Sequence, residues 1–123
     1  MFEISVEKDF DAAHFLRGYQ GKCEALHGHR FKVIVTVQAT KLDEVGMGYD
    51  FSILKKQLGE ILEHFDHTCL NDLPYFKKNN PSSENIAVTV YGELQKKLKK
   101  AAVKLTSVEV WESPQNHVIY RPD

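Results

Sequence analysis

From Phe2 to His14 the even positions read Phe2, Ile4, Val6, Lys8, Phe10, Ala12 and His14, against Glu3, Ser5, Glu7, Asp9, Asp11 and Ala13 at the odd ones. Side chains two apart share one face of a strand, so this alternation predicts a strand with an apolar face that ends on a histidine. From His27 the odd positions are His27, His29, Phe31, Val33, Val35 and Val37, set against Gly28, Arg30, Lys32, Ile34, Thr36 and Gln38, which predicts a second strand. Phe51, Leu54, Leu58, Ile61, Leu62 and Phe65 then recur at helical spacing, with Asp50 or Ser52 available as the cap. After a connector from Asn71 to Pro81, Ile86, Val90, Leu94 and Leu98 trace a second helix that Ser82 or Ser83 can cap. Lys96, Lys97, Lys99 and Lys100 near its end suit the helix dipole and read as a solvated face rather than a binding patch. Thr106, Val108, Val110 and Glu112 alternate in a third strand, and Val118 to Tyr120 closes a hairpin after Ser113-Pro114-Gln115-Asn116.

The predicted order is ββααββ: an α+β fold with an antiparallel four-stranded sheet and two helices on one face. Its two open edges suit pairing between subunits. The 123 residues, 42% of them apolar, fit a single domain over 1–123. Sixteen Lys and Arg against seventeen Asp and Glu leave a net charge of -1, so composition points to no nucleic acid and no membrane as partner. Cys23 and Cys69 are too few for a disulfide framework. The charged start of the chain, with Glu3, Glu7, Lys8, Asp9 and Asp11, carries no signal-peptide core, and a cytoplasmic protein is the expectation.

Six histidines are the compositional oddity. His27 and His29 point to one side of their strand, and if the two strands are neighbours His14 joins them. Three imidazoles suit zinc, with a fourth position open for water or substrate; the alternative is a hydrogen-bonded histidine pair at a strand end. Cys23, four residues before His27, can be a nucleophile or base near the metal, a fourth ligand of a closed structural site, or an inert buried thiol. Asp66-His67 is a proton-transfer pair or simply exposed helix-end charge. Glu112 interrupts an apolar stripe, where a carboxylate needs hydrogen-bond partners or a cation and can grip a donor-donor edge bidentately.

These residues together resemble a known family. His14, Cys23-x-x-x-His27-Gly28-His29, Asp66-His67 with Leu70-Asn71-Asp72, Pro81-Ser82-Ser83-Glu84-Asn85, and Glu112 followed by Ile119-Tyr120-Arg121 are similar to the 6-pyruvoyl-tetrahydropterin synthase family. The resemblance is greatest to its bacterial 6-carboxy-tetrahydropterin synthase branch, which serves queuosine biosynthesis. It implies the tunnelling fold, a homohexamer built as two stacked trimers with sites at subunit interfaces, and Zn2+ on His14, His27 and His29. It further implies Cys23 as the proton-abstracting base, Asp66 and His67 as its partner dyad, Glu112 as the pterin anchor, and Ser82 and Ser83 along the pterin pocket. The implied substrate is 7,8-dihydroneopterin triphosphate, whose side-chain hydroxyls a Lewis-acidic zinc would bind and acidify. Internal redox and loss of triphosphate follow, with acetaldehyde lost in the carboxy branch.

Glu24 directly follows Cys23, so the segment also matches the Glu-x-x-His-Gly-His of a branch that makes 6-hydroxymethyl-7,8-dihydropterin for folate, where a glutamate does the proton work. A solvated loop carboxylate is the alternative for Glu24. A different class of function, a non-catalytic zinc-stabilised oligomeric module, leaves Glu112 without a purpose. Arg17, Lys22 and Arg30 are the cations nearest in sequence for the triphosphate.

Overall fold

A computed structural model describes residues 1–18 and 25–123; Cys23 and Glu24, with Lys22, lie outside the described residues. The elements run β1 (Phe2–His14), β2 (His27–Ala39), α1 (Phe51–Leu62), β3 (Thr68–Cys69), α2 (Ser83–Lys97), β4 (Lys104–Ser113) and β5 (Asn116–Tyr120), with two single 3-10 turns between β3 and α2. β1 and β2 pair antiparallel over their full length, from Phe2 opposite Ala39 to His14 opposite His27. Alternation therefore places Val6, Phe10 and Ala12 with Phe31, Val33, Val35 and Val37 on one buried face. Against it pack Leu54, Leu58, Ile61 and Leu62 of α1 and Ile86, Val90 and Leu94 of α2, all within a single core cluster. Asp50 caps α1 by accepting from the Ser52 backbone N–H, and Ser82 caps α2 by accepting from that of Asn85. Lys8 belongs to the inner series yet stays exposed: its stem crosses α1 at Gly59, where an added Cβ would lie 3.2 Å from Cε.

The sheet departs from the expected four antiparallel strands in two ways. It has five strands in the order β3-β1-β2-β4-β5, and the two-residue β3 lies parallel to β1. Two residues are too short to carry a periodic signal, and β3 forms because the chain leaving α1 is tied to β1, the His67 N–H donating to the Asp11 carbonyl at 2.6 Å. The strict alternation expected of β4 is also broken. Thr36 pairs with Ser107 but Val37 with Leu105, leaving Thr106 as the extra residue of a β-bulge, and Leu105 takes the inward position. The lysines near the end of α2 behave as a solvated face, with Lys96 paired to Glu93 at 2.7 Å and Lys97 to Glu60 at 3.1 Å. Among the described residues no helix is long and apolar enough to cross a membrane.

The chain leaving β1 is held by side-chain amides in place of a neighbouring strand. Asn71 accepts from the Phe15 N–H and donates to the Phe15 carbonyl, both at 3.0 Å, and Asn80 does the same for Arg17 at 2.9 Å. Backbone groups that would otherwise need water or a ladder partner are thereby satisfied.

Candidate functional site

The β1–β2 register sets His14 opposite His27 and Ala12 opposite His29, so the three imidazoles converge at one end of the inner face. Their available ligand nitrogens all lie within 4.8 Å of one another. Phe31 forms the floor, its ring standing edge-on to His14 at 5.3 Å and to His29 at 5.7 Å. His14 is buried, while His27 and His29 are half-buried and face outward from that floor.

Hydrogen bonds fix which nitrogens are available. His14 Nδ1 lies 2.8 Å from the Pro81 carbonyl and His27 Nδ1 lies 2.7 Å from the Ala25 carbonyl. A carbonyl only accepts, so each Nδ1 carries the proton and each neutral ring presents a bare Nε2. Burial is the largest influence on His14 and lowers its pKa from 6.5; the Pro81 carbonyl raises it, His27 lowers it, Glu112 raises it and His29 lowers it, with a net fall. A neutral imidazole whose other nitrogen is held by a carbonyl is the form that binds metal. The Nε2 atoms of His14 and His29 are buried without a hydrogen-bond partner. Two orphaned nitrogens, with a third imidazole alongside, fit a divalent ion with nitrogen preference such as zinc.

Glu112 reaches the same place by a second bulge. Trp111 pairs with His117 and Ser113 with Asn116, so Glu112 has no opposite residue in β5. Bulges re-aim side chains, and here the carboxylate lies 3.5 Å from Nε2 of both His14 and His29. Ser82 and Ser83 directly follow Pro81, so the residue that orients His14 also leads into the start of α2. Both serines are half-buried.

Asp66 and His67 form a separate group at the β1 edge. The Asp66 carboxylate accepts from the Asp11 N–H at 2.9 Å and stands 2.9 Å from His67 Nδ1. His67 adopts a left-handed backbone with φ 58°, uncommon without glycine, and its side chain is 78% exposed. The dyad and the imidazole triad are two distinct clusters: an open groove of about 500 Å³ runs past the dyad along Asp11, Gly28, Arg30 and His67, residues of the face opposite the one on which the triad converges.

The Asp11 N–H, then the bond to His67, hold the Asp66 carboxyl below its ordinary 3.8. A depressed carboxyl stabilises the fold above the unfolded value and loses that contribution as pH falls through the folded one. Asp66→Asn is therefore expected to lower stability at neutral pH, where that contribution is fully present, and to flatten the acid limb of a stability-against-pH curve below 3.8, so that variant and wild type converge there. Urea denaturation across that range checks it, and an unaltered acid limb would contradict the assignment.

Sequence reasoning missed the carbonyls of Pro81 and Ala25 that set the tautomers, and the paired amides of Asn71 and Asn80. No local pattern marks the Pro81 and Asn71 contacts, because His14–Pro81 and Phe15–Asn71 join residues 67 and 56 positions apart, whereas Ala25 lies only two residues before His27. Of the cations named for triphosphate, Lys22 lies outside the described residues, and Arg17 and Arg30 are engaged elsewhere. Arg17 donates to the Phe76 and Asn71 carbonyls, and Arg30 pairs with Asp11 at 3.2 Å and Asp9 at 3.9 Å.

A family model for 6-pyruvoyl tetrahydropterin synthase matches residues 3–123. A 6-carboxy-5,6,7,8-tetrahydropterin synthase of Bacillus subtilis is 36% identical, covering 98% of this chain and 86% of that protein. One from Synechocystis is 41% identical over 92% of this chain and 88% of its own length. Among solved structures, 6-pyruvoyl tetrahydropterin synthase of Caenorhabditis elegans superposes with a TM-score of 0.88 at 28% identity, covering 99% of this chain and 96% of that one.

Proposed function

The chain belongs to the 6-pyruvoyl tetrahydropterin synthase family, and on that premise we propose that it is a zinc-dependent lyase of the 6-carboxy-5,6,7,8-tetrahydropterin type. Its substrate is 7,8-dihydroneopterin triphosphate, and residues 1–123 act as one catalytic domain of a cytoplasmic homohexamer. The reading rests above all on the two buried, unpartnered Nε2 atoms of His14 and His29 converging with His27, and it is supported by the names of the bacterial relatives.

In this reading His14, His27 and His29 hold the ion, which when bound supplies Lewis acidity to the hydroxyls of the substrate side chain. Pro81 keeps His14 in the ligating tautomer, and Phe31 keeps water from the inner side of the triad. Glu112, which the family resemblance casts as the pterin anchor, stands over the imidazoles, so in place of that role the donors it accepts from belong to the part of the substrate nearest the ion. Cys23 takes the proton from the carbon beside the pterin ring. His67, oriented by Asp66, carries protons to and from the reacting side chain. Ser82 and Ser83 line the pterin end. The exposure of His67 and the openness of its groove are consistent with a site completed by a neighbouring copy.

Incubation with 7,8-dihydroneopterin triphosphate and product identification by mass tests the proposal. The expected product is 6-carboxy-tetrahydropterin with triphosphate released, lost in Cys23→Ala and kept in Glu24→Ala. Hydroxymethyl-pterin that persists in Cys23→Ala but disappears in Glu24→Ala would move the assignment to the folate-type cleavage. Triphosphate retained on every pterin would overturn it.

A further inference from the structure

We infer that Glu112 is a fourth ligand of the ion in the substrate-free enzyme and leaves it when substrate binds. The inference rests on the proposed metal site and concerns its vacant position. His14 Nδ1 donates to Pro81, so its Nε2 carries a lone pair, and that lone pair faces a carboxylate oxygen of Glu112 at 3.5 Å. Two acceptors face to face repel unless a cation lies between them. The second carboxylate oxygen stands in the same relation to His29, whose Nε2 also lacks a partner.

The separations favour an ion over a proton. At 3.5 Å neither contact is a good hydrogen bond, since a charge-assisted N–H···O bond spans about 2.7–2.9 Å. In a tetrahedral zinc site with bonds of about 2.0–2.1 Å, adjacent ligand atoms stand about 3.4 Å apart. Each of the two N···O distances is close to that edge, one for each carboxylate oxygen, so the carboxylate lies against the ion's position on the side of His14 and His29. The bulge supplies the means, because Glu112 falls between the paired Trp111 and Ser113 without a partner of its own in β5, and its side chain is aimed at the imidazoles rather than along the ladder. A carboxylate on such a bulge can swing away without breaking a backbone pair. An oxygen of the incoming side chain then takes the position, and the released carboxylate is left beside it to accept its proton or hydrogen bond.

The test compares wild type, Glu112→Gln and Glu112→Ala loaded with Co2+ in place of zinc, by chelator competition and by the cobalt absorption bands. Glu112→Ala is expected to weaken ion binding about 10–100-fold and to change the band pattern, with Glu112→Gln intermediate. Added 7,8-dihydroneopterin is expected to shift the wild-type bands towards those of the alanine variant in the same ligand. Equal affinity and identical bands in wild type and both variants, each holding one ion per chain, would overturn the inference while the proposed function stands. A sulfur-to-cobalt charge-transfer band in substrate-free wild type would overturn it in favour of Cys23. Failure of wild type to bind the ion at all would remove the proposed function first. Melting curves of the metal-free proteins show whether each variant is folded before these comparisons are made.

Discussion

His29→Ala is expected to lose the ion and to lower the rate of product formation by about a thousandfold or more, with little change in folding. His29 sits near the end of β2, its side chain is 26% exposed, and its backbone pairs with Ala12 whatever side chain it bears. Truncation there leaves no large cavity, so the fold survives. The site, however, drops from three imidazoles to two, and the carboxylate of Glu112 beside them is the ligand that substrate displaces, so no three-ligand set persists through turnover. Lewis-acid stabilisation of the developing oxyanion is worth several kcal/mol, and about 4 kcal/mol corresponds to about three decades of rate. Metal content per chain, product formation and a melting curve on one preparation check all three parts. A variant that keeps one ion and near-normal turnover would show that the triad is not the catalytic centre.

Phe31→Ala is expected to destabilise the protein by about 3–5 kcal/mol, in the range found for large aromatic truncations. Phe31 is fully buried, stacks on Phe10 at 4.9 Å with the rings 12° apart, and carries His14 and His29 on its edge. A loss of that size is a large fraction of the about 5–15 kcal/mol that holds a domain together. Ion affinity should fall with it, since the emptied floor lets both imidazoles turn. Phe31→Leu preserves most of the volume and is expected to cost under about 1.5 kcal/mol. Urea denaturation of both variants, with and without metal, separates the two effects. A Phe31→Ala protein as stable as wild type would mean that the core does not support the site in this way.

Much of this was legible from alternation alone. The β1 and β2 patterns fixed which face each histidine takes, and the Leu54–Leu58–Ile61 and Ile86–Val90–Leu94 stripes fixed what covers that face. What periodicity could not carry was the interruptions to it. The bulge at Thr106 swaps Leu105 inward, and β3 consists of Thr68 and Cys69 alone. The inward direction of Glu112 was readable, but its place as an unpaired bulge residue was not. The contacts that orient the site, from Pro81 to His14 and from Asn71 to Phe15, depend on tertiary proximity that no local spacing encodes.

The amide clamps on Phe15 and Arg17 bear on how this architecture tolerates change. They tie down the chain just after β1, while the start of β2 is fixed by the pairing of His27 with His14. Lengthening such a connection twofold costs only about 0.6 kcal/mol of closure entropy. A connection rebuilt between these two anchors, in a laboratory or over generations, is thus expected to leave the spacing of the three rings undisturbed, which gives the scaffold room to take up a new reaction.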